Sequence, residues 1–339
     1  MRVVQNKLEN SITMQERESE ILVAIHCLVY NHEPYLRDCF EGFVMQKTSF
    51  RFVAIVHEDC STDHSADIIR EYEAKYPDIF RPIYETENQY SKPDGSLGRI
   101  MNAAIDATGA KYIAMCEGDD YWTDPYKLQK QVDFLEIHPE YVACGHRFVE
   151  YYEDTKQFSK SDHWTKVIMD DMLGIELNKV NYFQIGLLPQ ILTTVYRKAI
   201  LEEQSPFRRI NTRSQYDQTM YYALVQEAPI WIMNEQMGVY RRHSGGIATS
   251  IKGTLEAERK MYITWKDVYE VYQTEETRQM YVSNLESYLY RYIKRSKSLD
   301  KKECKELLAE CKELYGGYLP VRLRWRMAKA YLLRAIIRN

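Results

Sequence analysis

Short apolar runs alternate with turn-forming segments and with stretches of helical periodicity over the first 148 residues. Residues 21–30 are rich in Ile, Val and Leu, Asn31-His32-Glu33-Pro34 breaks the run, and Leu36, Phe40, Phe43 and Val44 then recur at helical spacing. The pattern predicts strand, loop and helix in that order. A second buried strand is expected over 50–56, ending in His57-Glu58-Asp59-Cys60-Ser61-Thr62-Asp63, whose Ser, Thr and Asp would cap a helix over about 65–75. A third strand over 81–84 leads to a polar loop with Pro93, Gly95 and Gly98; a helix over about 98–107 stops at Gly109, and a fourth strand follows over 111–116. Beyond it, 128–138 has helical periodicity and 141–148 that of a strand. The segment 151–179 is polar and irregular, strands are expected over 191–196 and 230–233 with a helix over 217–226 between them, and the chain from Thr254 onward is helical but for Gly316, Gly317 and Pro320.

Alternating strands and helices predict an α/β fold, with parallel pairing through right-handed crossovers and ligands held beyond the carboxyl ends of the strands. Asn31, Asp59 and Asp119 each follow an apolar run, so one crevice can gather residues that lie far apart in sequence. Four segments result: a polar extension over 1–20, two halves of a wound sheet over 21–148 and 149–250, and a helical region over 251–339.

Composition narrows the partners. A net charge of −4 over 339 residues argues against nucleic acid bound through a basic surface. The 28 tyrosines and five tryptophans suit either sugar-binding clefts, where a ring offers a flat apolar face and a polar edge, or a tyrosine-rich core. Seven scattered cysteines without a C-x-x-C pair fit neither a disulfide framework nor a zinc site, and point to a reducing cytoplasm. The apolar runs are too short to span a bilayer, and 1–20 lacks the apolar region of a secretory signal.

The chemistry concentrates in Glu117-Gly118-Asp119-Asp120-Tyr121-Trp122, directly after the fourth strand. Three carboxylates within four residues repel and raise one another's pKa unless a cation sits among them, and a divalent ion there can neutralise a leaving diphosphate. Gly118 lets the backbone pass close to a ligand. A solvated acidic turn is the plain alternative, but it needs neither the buried strand before it nor the ring pair after it. Asp59 can accept from a nucleobase N–H or favour the next helix through its dipole. Asn31 suits an Asx turn or a contact to ribose or base. Asp217, at the expected start of a helix, is either its N-cap or a general base for an acceptor hydroxyl. His243, in Tyr240-Arg241-Arg242-His243-Ser244-Gly245-Gly246, is either a surface residue or a ligand to metal or phosphate.

Taken together, Tyr30-Asn31 at the first strand end, Met45-Gln46 at the first helix end, Glu58-Asp59-Cys60-Ser61-Thr62-Asp63, Arg99 and Asn102, and Glu117-Gly118-Asp119-Asp120-Tyr121-Trp122 resemble, in their order, a family 2 glycosyltransferase of the GT-A fold. The resemblance covers about 21–247. It implies a Rossmann-like wound mixed sheet with flanking helices and inversion at the anomeric carbon. It makes 21–148 the nucleotide-sugar-binding half and 149–250 the acceptor-binding half with the catalytic base. It further implies Asp119 as the metal-binding acid of a D-x-D-like motif for Mn2+ or Mg2+, with His243 beside it, Asp59 as the acid that recognises the base, and Asp217 as the catalytic base. Tyr30, Asn31, Glu33, Arg99, Asn102, Glu117, Gly118, Asp120, Trp122 and Arg241 are expected around a donor, UDP-sugar favoured, whose acceptor is a saccharide or lipid-linked saccharide of a surface glycan. Glu117 and Glu58 depart from the pattern, each standing where aspartate is common.

A sugar nucleotidyltransferase would need a Gly-rich loop with Arg or Lys after the first strand, which Tyr30-Asn31-His32-Glu33-Pro34 is not. A degenerate sugar-binding protein would have lost the metal or base acid, and Asp119 and Asp217 are both present. The tail, 321–339, carries Arg322, Arg324, Arg326, Lys329, Arg334 and Arg338 with no acid, among Leu, Trp, Tyr and Ile. Such a helix can lie on an anionic bilayer at the inner face of the membrane, pack on the preceding helices, or join two copies of the chain.

Overall fold

The computed structural model describes residues 20–92, 94–160, 163–185, 189–201, 217–246, 253–296 and 299–338. Two compact units divide the chain, Met1–His243 and Ser244–Asn339.

The first unit is built on a mixed ten-stranded sheet. Its leading half alternates β1 (Ile21–Val29), α1 (Leu36–Val44), β2 (Arg51–Glu58), α2 (Ser65–Lys75), β3 (Phe80–Tyr84), α3 (Ser96–Thr108) and β4 (Tyr112–Met115). These strands lie side by side in the order β3-β2-β1-β4, all parallel. Val23, Ala24, Ile25, Cys27 and Val29 of β1 are buried, as expected of a central parallel strand covered on both faces. Leu36, Cys39, Phe40 and Phe43 recur at helical spacing and fix α1 on the sheet, where Phe40 meets Phe80 at 4.8 Å and Tyr72 at 5.1 Å between ring centroids. A Phe40→Ala cavity there would cost about 3–5 kcal/mol. Gly109 ends α3 with φ 73, the left-handed stop expected of it.

The second half continues with β5 (Tyr121–Trp122), α4 (Lys127–Ile137), β6 (Ala143–Tyr152), β7 (Gln157–Phe158), β8 (Gly174–Leu177), the single turn α5 (Tyr182–Ile185), β9 (Val195–Arg197), α6 (Asp217–Glu227) and β10 (Ile230–Arg242). Pairing is parallel only between β6 and β10; β9 runs antiparallel to both β4 and β6, and β5 antiparallel to β10. Parallel alternation therefore stops at β4. The boundary between the expected halves, 148/149, falls inside β6.

Two expected strands come out differently. Over 191–196 the chain forms a 3-10 turn at Ile191–Thr193 before the short β9, because the Thr193 hydroxyl donates to the Gln190 carbonyl at 2.7 Å and draws the backbone out of the ladder. Over 230–233 the strand does not stop but runs to Arg242, crossing the polar Asn234-Glu235-Gln236 by register shifts between Met233 and Val239.

The second unit is helical, as expected, with α7 (Leu255–Tyr272), α8 (Glu275–Arg295), α9 (Lys301–Leu314) and α10 (Val321–Arg338). Thr254, Thr274 and Asp300 cap the first three, each side chain accepting a backbone N–H. Tyrosines fill its core: Tyr262 stacks on Tyr288 at 5.4 Å, and the hydroxyls of Tyr281, Tyr288 and Tyr315 donate to Glu310, Glu303 and Glu286. Among the described residues no helix is long and apolar enough to cross a membrane.

Candidate functional site

The acidic turn leaves β4 at the carboxyl edge of the parallel strands. The Gly118 N–H donates to the Leu28 carbonyl at 3.0 Å and the Asp120 N–H to the Glu117 carbonyl at 3.1 Å. Glycine at 118 is a packing requirement: a Cβ there would lie 2.8 Å from His32 Nδ1 and 3.0 Å from both Leu36 and Val29 side chains. The turn is thus pressed against the loop that follows β1.

From the other side the end of β10 is strapped to it. The Arg241 backbone N–H donates to Asp120 Oδ1 at 2.8 Å, its Nε to the Asp119 carbonyl at 2.9 Å, and its Nη2 to Asp38 Oδ2 at 2.7 Å. Tyr35 and Tyr121 rings flank the guanidinium at 5.0 and 5.1 Å. Expected at the donor, Arg241 has its guanidinium committed to holding this corner together. His243, two residues on, brings Nε2 to 3.0 Å from Asp119 Oδ2, joining positions 124 residues apart. His32 Nε2 stands 4.0 Å from the same oxygen.

Charge is unevenly resolved here. Burial opposes ionisation of Asp119, yet the His243 hydrogen bond and the nearby imidazoles outweigh it and hold the carboxyl below its ordinary range. Burial, then Asp119, pushes Asp120 well up. Glu117 is pushed up to about 8 by desolvation, then by the charges of Asp119 and Asp217. Asp217, the first residue of α6, is pushed up to about 6 by desolvation, against its own backbone hydrogen bond. The Tyr182 hydroxyl donates to the Gln218 carbonyl at 2.7 Å and steadies that helix end. Glu117 therefore stands near enough to both Asp119 and Asp217 to feel their charges. Among the described residues no group of three or more His, Cys, Asp or Glu has metal-holding geometry.

The remaining candidates divide. Asn31 adopts φ 55, and its Oδ1 accepts the Thr62 N–H at 2.7 Å while its own N–H donates to Ser61 Oγ at 3.0 Å, clipping the loops after β1 and β2 together. Glu33 accepts the His64 N–H at 3.1 Å, Tyr30 is exposed, and Asp63, rather than Asp59, accepts Ser65 N–H at the start of α2. Both oxygens of Asp59 accept backbone N–H groups, from Gln89 at 2.6 Å and Tyr90 at 3.0 Å. Arg99 is exposed and donates to the Asp94 carbonyl at 2.6 Å; Asn102 is buried in α3. Trp122, expected at the donor, is a core residue: it is 2% exposed, its indole donates to the Leu192 carbonyl at 2.8 Å, and Phe43 and buried Lys127 pack on it. His32, Tyr35 and Asp38 went unnoticed in sequence. Their one signal was position, in and just after the break that follows the first strand.

The family model for glycosyl transferase family 2 matches residues 25–203, and the chain belongs to that family. An uncharacterized protein of Mycobacterium tuberculosis, Rv1520, is 34% identical over 229 residues; the match takes in 66% of this chain and spans 60% of that relative's length. The putative teichuronic acid biosynthesis glycosyltransferase TuaG of Bacillus subtilis is 23% identical over 252 residues, covering 73% of this chain and 88% of that protein. Among solved structures, residues 1–349 of S. aureus TarS in complex with UDP-GlcNAc superpose with a TM-score of 0.60 at 15% identity, over 94% of this chain and 92% of that one. The GT-A type wound sheet with a C-terminal helical region is the fold expected from the sequence.

Proposed function

We propose that the chain is an inverting glycosyltransferase that moves a sugar from a nucleoside-diphosphate donor, a UDP-sugar by preference, to a saccharide or lipid-linked saccharide acceptor of a surface glycan. Family membership supports the reaction class. The donor reading draws on UDP-GlcNAc bound to TarS, and the glycan reading on the name of TuaG.

The observation that carries the mechanism is the meeting of Asp119 and His243 at 3.0 Å. A carboxylate oxygen beside an imidazole nitrogen is a donor pair that a divalent ion could share. Asp119, kept ionised, and His243 would therefore hold Mn2+ or Mg2+, which supplies neutralising charge for the leaving diphosphate. Asp217 accepts the proton of the acceptor hydroxyl as its oxygen bonds to the anomeric carbon; the bond from that carbon to the diphosphate oxygen breaks, and the nucleoside diphosphate departs. A pKa of about 6 suits that task, because the group is ionised near neutrality yet more basic than an exposed aspartate. Glu117 faces the nucleoside. Asp59 keeps a second lone pair on each oxygen for a base N–H beyond the backbone donors it already accepts. Asn31, Glu33 and Arg241 fix the walls, and the protein works in the cytoplasm.

The test is a thermal-shift and donor-hydrolysis screen of nucleotide sugars with and without Mn2+ or Mg2+. Metal-dependent stabilisation by at least one nucleotide sugar is expected. A screen in which no nucleotide stabilises the protein in that way removes the reading.

A further inference from the structure

The basic tail helix has two apolar faces, and only one is used inside its own unit. Leu323, Met327 and Ala330 are buried on α8, and Arg334 Nη1 donates to the carbonyls of Ile293 and Ser296 at 3.0 and 2.7 Å. On the opposite side Val321, Trp325, Ala328, Leu332 and Ala335 recur at helical spacing as an outward stripe. Val321 is 59% exposed, Trp325 75% and Leu332 63%, and Tyr318 just before the helix is 63% exposed. Cations rim this stripe, Arg322 and Lys329 along one edge and Arg324 along the other.

We propose that this outward stripe seats α10 on an anionic lipid bilayer. Charge selects the occupant. The whole chain has a net charge of −4, yet 321–339 holds six cations and no acid, and three of these cations, Arg322, Arg324 and Lys329, rim the exposed apolar side chains. Tryptophan and leucine flanked by Arg and Lys, on a helix too polar to span, is the arrangement that lies in the headgroup layer with its apolar edge dipped among the acyl chains. A second copy of the chain would bring the same cations against their equals across a two-fold interface. A nucleic acid would leave Trp325 and Leu332 uncovered. The sequence alone could not separate these faces, because both are apolar; burial of Leu323, Met327 and Ala330 does so.

The full chain should float with phosphatidylcholine vesicles containing phosphatidylglycerol and remain behind with phosphatidylcholine alone or at high salt. Arg324→Gln with Lys329→Gln should weaken that binding about 25-fold, at about fivefold per cation. Trp325→Ser with Leu332→Ser should weaken it at least about tenfold. These side chains are exposed, so unchanged melting of the variants verifies folding. Of the five tryptophans only Trp325 is largely exposed, so the emission blue shift on adding anionic vesicles should vanish in Trp325→Phe. Absence of phosphatidylglycerol-dependent flotation, or flotation undiminished in both double variants, overturns the proposal. So does a Trp325→Ser, Leu332→Ser protein that changes from dimer to monomer while still floating, which would assign the stripe to a second copy. None of these readouts contains a sugar, so they stand or fall apart from the proposed transfer.

Discussion

Two enclosed acids of the helical unit and two acids of the sheet unit are treated in opposite ways. In the helical unit Glu286 is 3% exposed, but it accepts the Tyr315 hydroxyl at 2.6 Å and faces Arg326 at 3.5 Å and Arg322 at 3.7 Å. Glu310 likewise has Lys266 at 2.7 Å and the Tyr281 hydroxyl. In the sheet unit Glu117 and Asp217 are pushed up to about 8 and about 6, and among the described residues no cation is set against the desolvation. A structural acid has its charge answered by the chain that buries it. An acid left unanswered costs stability, and is kept where something outside the chain completes it.

Breaking the sheet-unit arrangement should have the largest effects. Asp119→Ala should eliminate metal-dependent binding of the nucleoside diphosphate, read by calorimetry with and without Mn2+, while a nucleoside diphosphate bound equally well would remove Asp119 as the metal acid. Next, Asp217→Asn should slow transfer by about 10²–10⁴-fold with donor binding intact. In the native protein the rate should climb as pH rises through about 6, because the base must lose its proton to act; normal transfer by the Asn variant would end its role. In the helical unit, Glu286→Ala should cost about 1–3 kcal/mol by removing the acceptor of the Tyr315 hydroxyl and the charge that faces Arg322 and Arg326, seen as a lower denaturant midpoint.

The smallest effect is the sharpest check on the contrast. Glu117 has a folded pKa above its ordinary 4.5, so the stability tied to its neutral form is whole below that pH and is lost as pH climbs through about 8. Melting temperature should fall across that window in the metal-free protein, and Glu117→Gln should flatten the fall. A slope unchanged by the substitution would show that Glu117 already has its answering charge.

Much of the leading half of the fold was legible because its strands are buried and its turns punctuated: Ile, Val and Ala mark β1, β2 and β4, and Asn31 and Gly109 mark real left-handed residues. The acidic turn was legible for the same reason. What escaped was set by distant partners. Nothing near Trp122 in sequence indicates that Leu192 will accept its N–H, nor near Asp59 that Gln89 and Tyr90 will donate to it. The strands β5, β7 and β8, of two to four residues, are too short to show a period.

Gly118 has a practical bearing on anyone reshaping this crevice. With His32, Leu36 and Val29 side-chain atoms 2.8–3.0 Å from where a methyl would stand, closer than van der Waals contact allows, the turn has little slack toward β1. Gly118→Ala alone should displace the acids it flanks, whereas the same change combined with Leu36→Val or Val29→Ala should be better tolerated than the sum of its parts. Redesign at this corner is therefore a problem of paired substitutions, with the glycine as its fixed point.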